Sequence, residues 1–184
     1  MRFRGPVRRR LVATLAVGLL AVGCTAVPQE PAVTPTAVAA PPETQLERQT
    51  RLDFEAAEKS YRAFSREYMR LAHEGGSRAA TSTMKQHAAG PYLSAMVDFS
   101  RQRRTASRKS VGELRIGYVR PGPYSPSALT LEVCEDGSRV KNLDKSGRVV
   151  SSGIVSKLTL QLRLIDKTWK VWNGDDEVVT TCGD

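Results

Sequence analysis

Few side chains in this 184-residue chain are both of a reactive type and placed where they could act together. Histidine and aspartate are the usual proton carriers of catalysis, and the chain offers His73, His87 and Asp98 for that work. His73 stands beside Glu74 near an expected helix end, His87 falls in a weak helix or loop, and Asp98 sits mid-helix beside Phe99. Their surroundings suggest solvent-facing residues, with Asp98 answering Arg101 or Gln102. No phosphate-binding loop, nucleophile elbow, zinc spacing or paired-carboxylate motif occurs. Of the three cysteines, Cys134 and Cys182 have no histidine nearby, and no Cys-x-x-Cys is present, which argues against a redox or metal site. The densest charge feature is the run Arg101, Arg103, Arg104, Arg108 and Lys109. Cations are favoured at a helix C-terminus by its exposed carbonyls; the functional alternative is contact with anionic headgroups, a wall polymer or an acidic partner. No catalytic residue, cofactor or metal is expected.

The formal charge of +9 suggests an anionic partner until it is divided along the chain. Residues 1–23 hold five arginines and no acid, leaving 23 basic against 19 acidic side chains. Arg2, Arg4 and Arg8-Arg9-Arg10 precede an apolar stretch of twelve residues, 11–22. A helix needs about 20 residues to cross a hydrocarbon core, so this stretch suits the core of a secretory signal instead. Nucleic acid is not expected as a partner of an exported domain without a basic face interleaved with aromatics.

Ala21-Val22-Gly23-Cys24 resembles a lipobox, at which bacterial prolipoproteins receive a diacylglyceryl thioether and are cleaved before the cysteine. The resemblance implies a leader over 1–23, removed, and a lipid-bearing Cys24 on the extracytoplasmic face of a membrane. A plain secretory signal with a chance cysteine and an uncleaved anchor are the alternatives. Several acyl chains on one residue, at about 0.8 kcal/mol per buried CH₂, anchor a protein durably. The Ala- and Arg-rich style is similar to that of actinobacterial lipoproteins. After Cys24, residues 25–43 hold five of the ten prolines, which disfavours helix and sheet and makes 24–43 a stalk. At about 3.1 Å per residue it could reach roughly 60 Å; a disordered tail with no spacing role is the alternative. In an exported domain the remaining pair, Cys134 and Cys182, is expected to form a disulfide, with two buried free thiols as the alternative.

One domain is expected over 44–184. Thr44-Gln45-Leu46-Glu47 has the capping-box form of a helix start. Leu46, Phe54, Ala57, Tyr61, Phe64, Tyr68 and Leu71 then recur at helical spacing up to Gly75-Gly76, predicting a long amphipathic helix with an aromatic face. A short helix over 78–87 and another from Gly90-Pro91 to about Ala106 follow, the latter with Leu93, Met96, Val97 and Ser100 inward. After residue 110 the period becomes two. Leu114, Ile116 and Tyr118 alternate first, then Leu129, Leu131 and Val133 with Thr130 and Glu132 between them. Leu158, Leu160, Leu162 and Leu164 form the next strand; Trp169 and Val171 begin the last, which resumes from Val178 to Cys182. Pro121-Gly122-Pro123 and Ser125-Pro126 read as a loop between the first two strands, with turns at Asp136-Gly137, Ser146-Gly147 and Asp166-Lys167. Such alternation predicts antiparallel strands with one covered face. The fold class is therefore α+β, with a long helix and shorter ones packed on a curved antiparallel sheet.

That order resembles the nuclear transport factor 2-like superfamily over roughly 44–182, with a cystatin-like helix-on-sheet domain as the nearest rival. Residues 129–134 leading to Asp136-Gly137-Ser138, then 158–164, then Trp169-Lys170-Val171, carry the likeness. It implies helices packed into a cone-shaped sheet, with Tyr61, Phe64, Tyr68 and Trp169 as core or pocket lining. Enzymes of the superfamily place an aspartate, or an aspartate and a histidine, in the cone. The expectation here is a non-catalytic, membrane-anchored module that binds an envelope protein or a small ligand, accessory to a larger assembly. A carrier of a hydrophobic molecule and an acid/base enzyme are the alternatives.

Overall fold

The computed structural model describes residues 42–183; the leader, Cys24 and all but the end of the stalk lie outside the described residues. The first helix, α1, spans Gln45–Glu74. Thr44 and Glu47 close the expected capping box: Thr44 Oγ1 accepts from the Glu47 amide at 3.2 Å, and Glu47 Oε2 accepts from the Thr44 amide at 2.8 Å. Gly75 ends the helix with φ +91°, a left-handed conformation glycine adopts without steric cost. Of the stripe, Ala57, Tyr61, Phe64 and Leu71 are buried and Phe54 and Tyr68 partly so, whereas Leu46 at the helix start stays 69% exposed. Among the described residues no helix is long and apolar enough to cross a membrane.

Helices α2 (Ser82–His87) and α3 (Gly90–Thr105) follow. The expected 78–87 helix is thus shortened. Thr81 caps it by accepting from the Met84 amide, and residues 77–80 instead form bends held by Ser77. Pro91 occupies the first turn of α3, and Ser100 faces inward to accept the Ser77 amide at 2.8 Å.

The main sheet has the order β2-β3-β6-β7, all antiparallel, from strands Arg115–Ser125, Ala128–Asp136, Val155–Ile165 and Thr168–Val179. Its inner face presents Leu129, Leu131, Val133, Leu160, Leu162, Trp169 and Val171, buried against Ala57, Tyr61 and Phe64 of α1. Register shifts on β2, and one on β7 where Trp172 is the extra residue opposite Gln161 and Leu162, are irregularities of the kind that bend a strand and increase its twist. The α+β class and antiparallel sheet are as the sequence implied.

Two readings need correction, and one sheet is new. Pro121-Gly122-Pro123 is not a loop but lies within β2, and only the turn at 126–127 separates it from β3. β2 is an edge strand, the place in a sheet where proline is tolerated. The last strand is unbroken from Thr168 to Val179, and Cys182 lies beyond it. A second, small sheet was not anticipated. It joins β1 (Lys109–Val111) to β4 (Lys141–Leu143) and β5 (Val149–Ser152), the latter two filling the long connection after residue 140.

Cys134 and Cys182 form a disulfide with Cα atoms 5.7 Å apart. Cys134 faces away from the leucine row, and the C-terminal tail covers it. Gly117, at the first irregularity of β2, makes room for this: a Cβ there would lie 2.8 Å from Cys182 Cβ.

Candidate functional site

A cavity of about 520 Å³ opens between α1, α3 and the sheet. The helical repeat brings Tyr61, Phe64, Ser65 and Tyr68 of α1 onto one wall. α3 contributes Tyr92 and Met96, with the Phe64 and Tyr92 ring centroids 5.3 Å apart. The sheet side is made by Leu158 and Leu160 of β6, with Asn173, Asp175 and Asp176 of β7. β3 supplies Glu135 and its cross-strand partner Ser156 belongs to β6.

Glu135 is the polar centre of this space. Strand periodicity carries the inward series 129, 131, 133 one step further, so the carboxyl points to the same side as the leucines. Tyr61 donates its phenolic hydrogen to Glu135 Oε1, and Ser65 Oγ donates to the same oxygen at 3.3 Å. Burial pushes the Glu135 carboxyl above its ordinary range, and the hydrogen bonds from Tyr61 and Ser65 oppose that rise. Burial and the nearby Glu135 charge together push the Tyr61 and Tyr92 phenols up, so both remain protonated donors. Within the described residues, Glu135 Oε2 and the Tyr92 hydroxyl make no hydrogen bond, yet neither is sealed from solvent. Both are open to a guest.

Tyr61, Phe64 and Tyr68 therefore line the cavity, and Trp169 does not. Trp169 is buried toward the start of α1, where its indole Nε1 donates to Asp53 Oδ1 at 3.3 Å. Asp53 also accepts from the Tyr124 hydroxyl at 2.7 Å, which fastens α1 to both β2 and β7. The sequence reading singled out neither Glu135 nor Tyr92. Glu135 was detectable as the next inward position after Val133. Tyr92 was hidden because it neighbours Leu93, and α3 has a weakly segregated face.

The acid/base candidates lie elsewhere. His73 Nε2 is 3.0 Å from the Gly112 carbonyl oxygen, in an exposed cleft beside Arg62, Arg66 and Arg70. Asp98 pairs with Arg101 at 2.7 Å on the surface. His87 Nδ1 is 3.0 Å from Ser60 Oγ, whose hydrogen goes to the Trp169 carbonyl. Ser60 is thus not poised as a nucleophile. Burial, reinforced by Arg66 and Lys170, holds the His87 imidazole below its usual pKa.

The arginine run is divided. Arg103 turns inward, donating to Ser110 Oγ at 2.7 Å and lying 5.2 Å from the Phe99 ring centre. Arg101, Arg104 and Lys109 border a shallow groove with Arg78 and Lys145, while Arg108 opens onto a different one beside Phe99. Among the described residues no group of three or more His, Cys, Asp or Glu could hold a metal ion.

No family model matches the chain, and no curated protein matches it. Among solved structures it is similar to an uncharacterized protein with a cystatin-like fold from Caulobacter vibrioides. That pair shares 16% identity over 68% of this chain and 89% of the other, with a TM-score of 0.42. A protein with an NTF2-like description and a cystatin-like fold, from Novosphingobium aromaticivorans, shares 12% identity over 74% and 91%, at 0.42. A third, provisionally assigned as an aromatic ring hydroxylase from the same organism, shares 11% identity over 71% and 92%, at 0.49. These are distant likenesses of fold. They assign no activity to this chain.

Proposed function

We propose that the chain is a lipid-anchored extracytoplasmic module whose cone binds a small, largely apolar molecule bearing one polar group. The observation that carries this reading is the open cavity of about 520 Å³, a size suited to a small ligand. Its aromatic and leucine walls surround the Glu135 Oε2 oxygen and the Tyr92 hydroxyl, which make no hydrogen bond among the described residues. Such a space supports a ligand over a purely protein-binding role, since a surface for a protein needs no interior vacancy. The leader-like residues before Cys24 and the proline-rich stretch after it support anchoring and reach.

The test has two arms. Cys24→Ser should move the full chain from the membrane fraction to the medium or soluble fraction, and an unchanged distribution would remove the anchor. Chain extracted gently from membranes should release a small molecule when denatured, detected by mass spectrometry. An Ala95→Trp variant, which crowds the cavity from α3, should come out empty. Equal guest content in both would end the binding reading.

A second reading is favoured by Glu135 itself. A carboxyl pushed up by burial beside a phenol can take a proton from one ligand atom while the phenol hydrogen-bonds another. Turnover of a released guest by the purified chain, lost in Glu135→Gln, would select an acid/base enzyme over a carrier.

A further inference from the structure

We propose that the cone selects organic cations: an ammonium group carried on an apolar or aromatic body. This rests on the binding reading above and gives its ligand a class. The chain as a whole carries more Lys and Arg than Asp and Glu, yet the cavity lining contains no Lys, Arg or His. It contains three carboxyl groups, Glu135, Asp175 and Asp176, and none of them forms an ion pair with a described residue. The charge lining this vacancy is therefore of one sign and unanswered from within.

The walls reinforce that sign. Tyr61, Phe64, Tyr68 and Tyr92 present four aromatic rings to the same space. Ring faces attract cations, most strongly where water is excluded, and aromatic enclosures of this kind recognise quaternary ammonium groups. An ammonium seated among them would meet Glu135 Oε2, the oxygen that Tyr61 and Ser65 leave open. Asp175 and Asp176 stand exposed on the strand that borders the opening, where they would draw a cation in. Two basic groups act on the walls from outside the lining: Arg62 on Tyr61, paired with Glu58 at 2.7 Å, and Arg103 on Tyr68, donating to Ser110 Oγ at 2.7 Å. An anionic guest would face three like charges, and a neutral guest would leave the buried carboxyl without a counter-charge.

Three probes of one shape separate the possibilities: 3-phenylpropylamine, 3-phenylpropan-1-ol and 3-phenylpropanoate, titrated into the full chain and followed by amide NMR shifts. The amine should bind at least about tenfold tighter than the alcohol, and the acid weakest, with shifts at Tyr92, Gly174 and Asp175. Glu135→Gln should reduce the amine's preference severalfold. The double variant Asp175→Asn, Asp176→Asn, whose positions are exposed and tolerant, should weaken amine binding and its salt dependence. Alcohol or acid binding as tightly as the amine would overturn the cation class while leaving the binding role intact. Failure of all three probes to shift the cavity residues would overturn both.

Discussion

Tyr61 on the long helix gives its phenolic hydrogen to Glu135 on the sheet. The bond joins helix to sheet beside the Ser65 contact to the same oxygen, and it leaves Oε2 without a hydrogen bond among the described residues. Tyr61→Phe removes one donor and leaves Ser65 as the only partner of Oε1 among the described residues. Losing one of two hydrogen bonds to such an acceptor costs about 0.5–1.5 kcal/mol. Denaturant unfolding at neutral pH should show that loss, and Glu135 should titrate still higher in the variant.

Glu135 also sets a pH dependence of definite sign. Its folded pKa lies above the ordinary 4.5, so the folded state holds the proton more tightly than the unfolded chain does. The stability it contributes is fully present below about 4.5 and is lost as pH rises through the shifted value. The carboxyls of Glu47, Glu67, Asp136 and Asp144 run the other way, since hydrogen bonds hold them below their usual range. Comparing wild type with Glu135→Gln across pH 3–8 isolates the first effect. The amide variant should gain on wild type as pH rises, and a flat difference would contradict the burial of the carboxyl.

Asp53 draws Trp169 and Tyr124 onto α1. In Asp53→Ala the indole N–H loses its acceptor beside a buried ring. The unfolding midpoint should fall, and Trp169 emission should shift to the red. The cavity, which Trp169 does not line, should keep its affinity for any guest.

The Cys134–Cys182 disulfide closes a loop of 48 residues. The chain-entropy model assigns such a loop about 4 kcal/mol. Cys182→Ser should lower stability by up to that amount. Gly117→Val, which places a side chain where Cys182 must sit, should expose free thiol on labelling with a maleimide.

The parts of the fold readable in advance were those fixed by local chemistry. Thr44, Glu47 and Gly75 mark the ends of α1 through hydrogen bonds and backbone conformation that depend on neighbours in sequence. The leucine alternation of β6 and the inward row of β3 record a single covered face. What escaped depends on partners distant in sequence. Pro121 and Pro123 look like loop residues until β2 is known to be the sheet's edge. β1, β4 and β5 span three or four residues each, too short to carry a period, and exist through pairing with one another. Within the site, the aromatic face of α1 was legible as a stripe. Whether Trp169 or Tyr92 would complete it depended on how α3 docks, and neighbouring Tyr92 and Leu93 compete for the inward position.

The covalent link between residues 134 and 182 has a further effect wherever the chain meets a protease. Everything between those two cysteines, including the exposed turn around Ser146-Gly147, belongs to a closed ring. A single cut anywhere in that ring severs no fragment from the molecule. The nicked chain would run intact on a non-reducing gel and split only after thiol treatment, with both halves still held in the sheet.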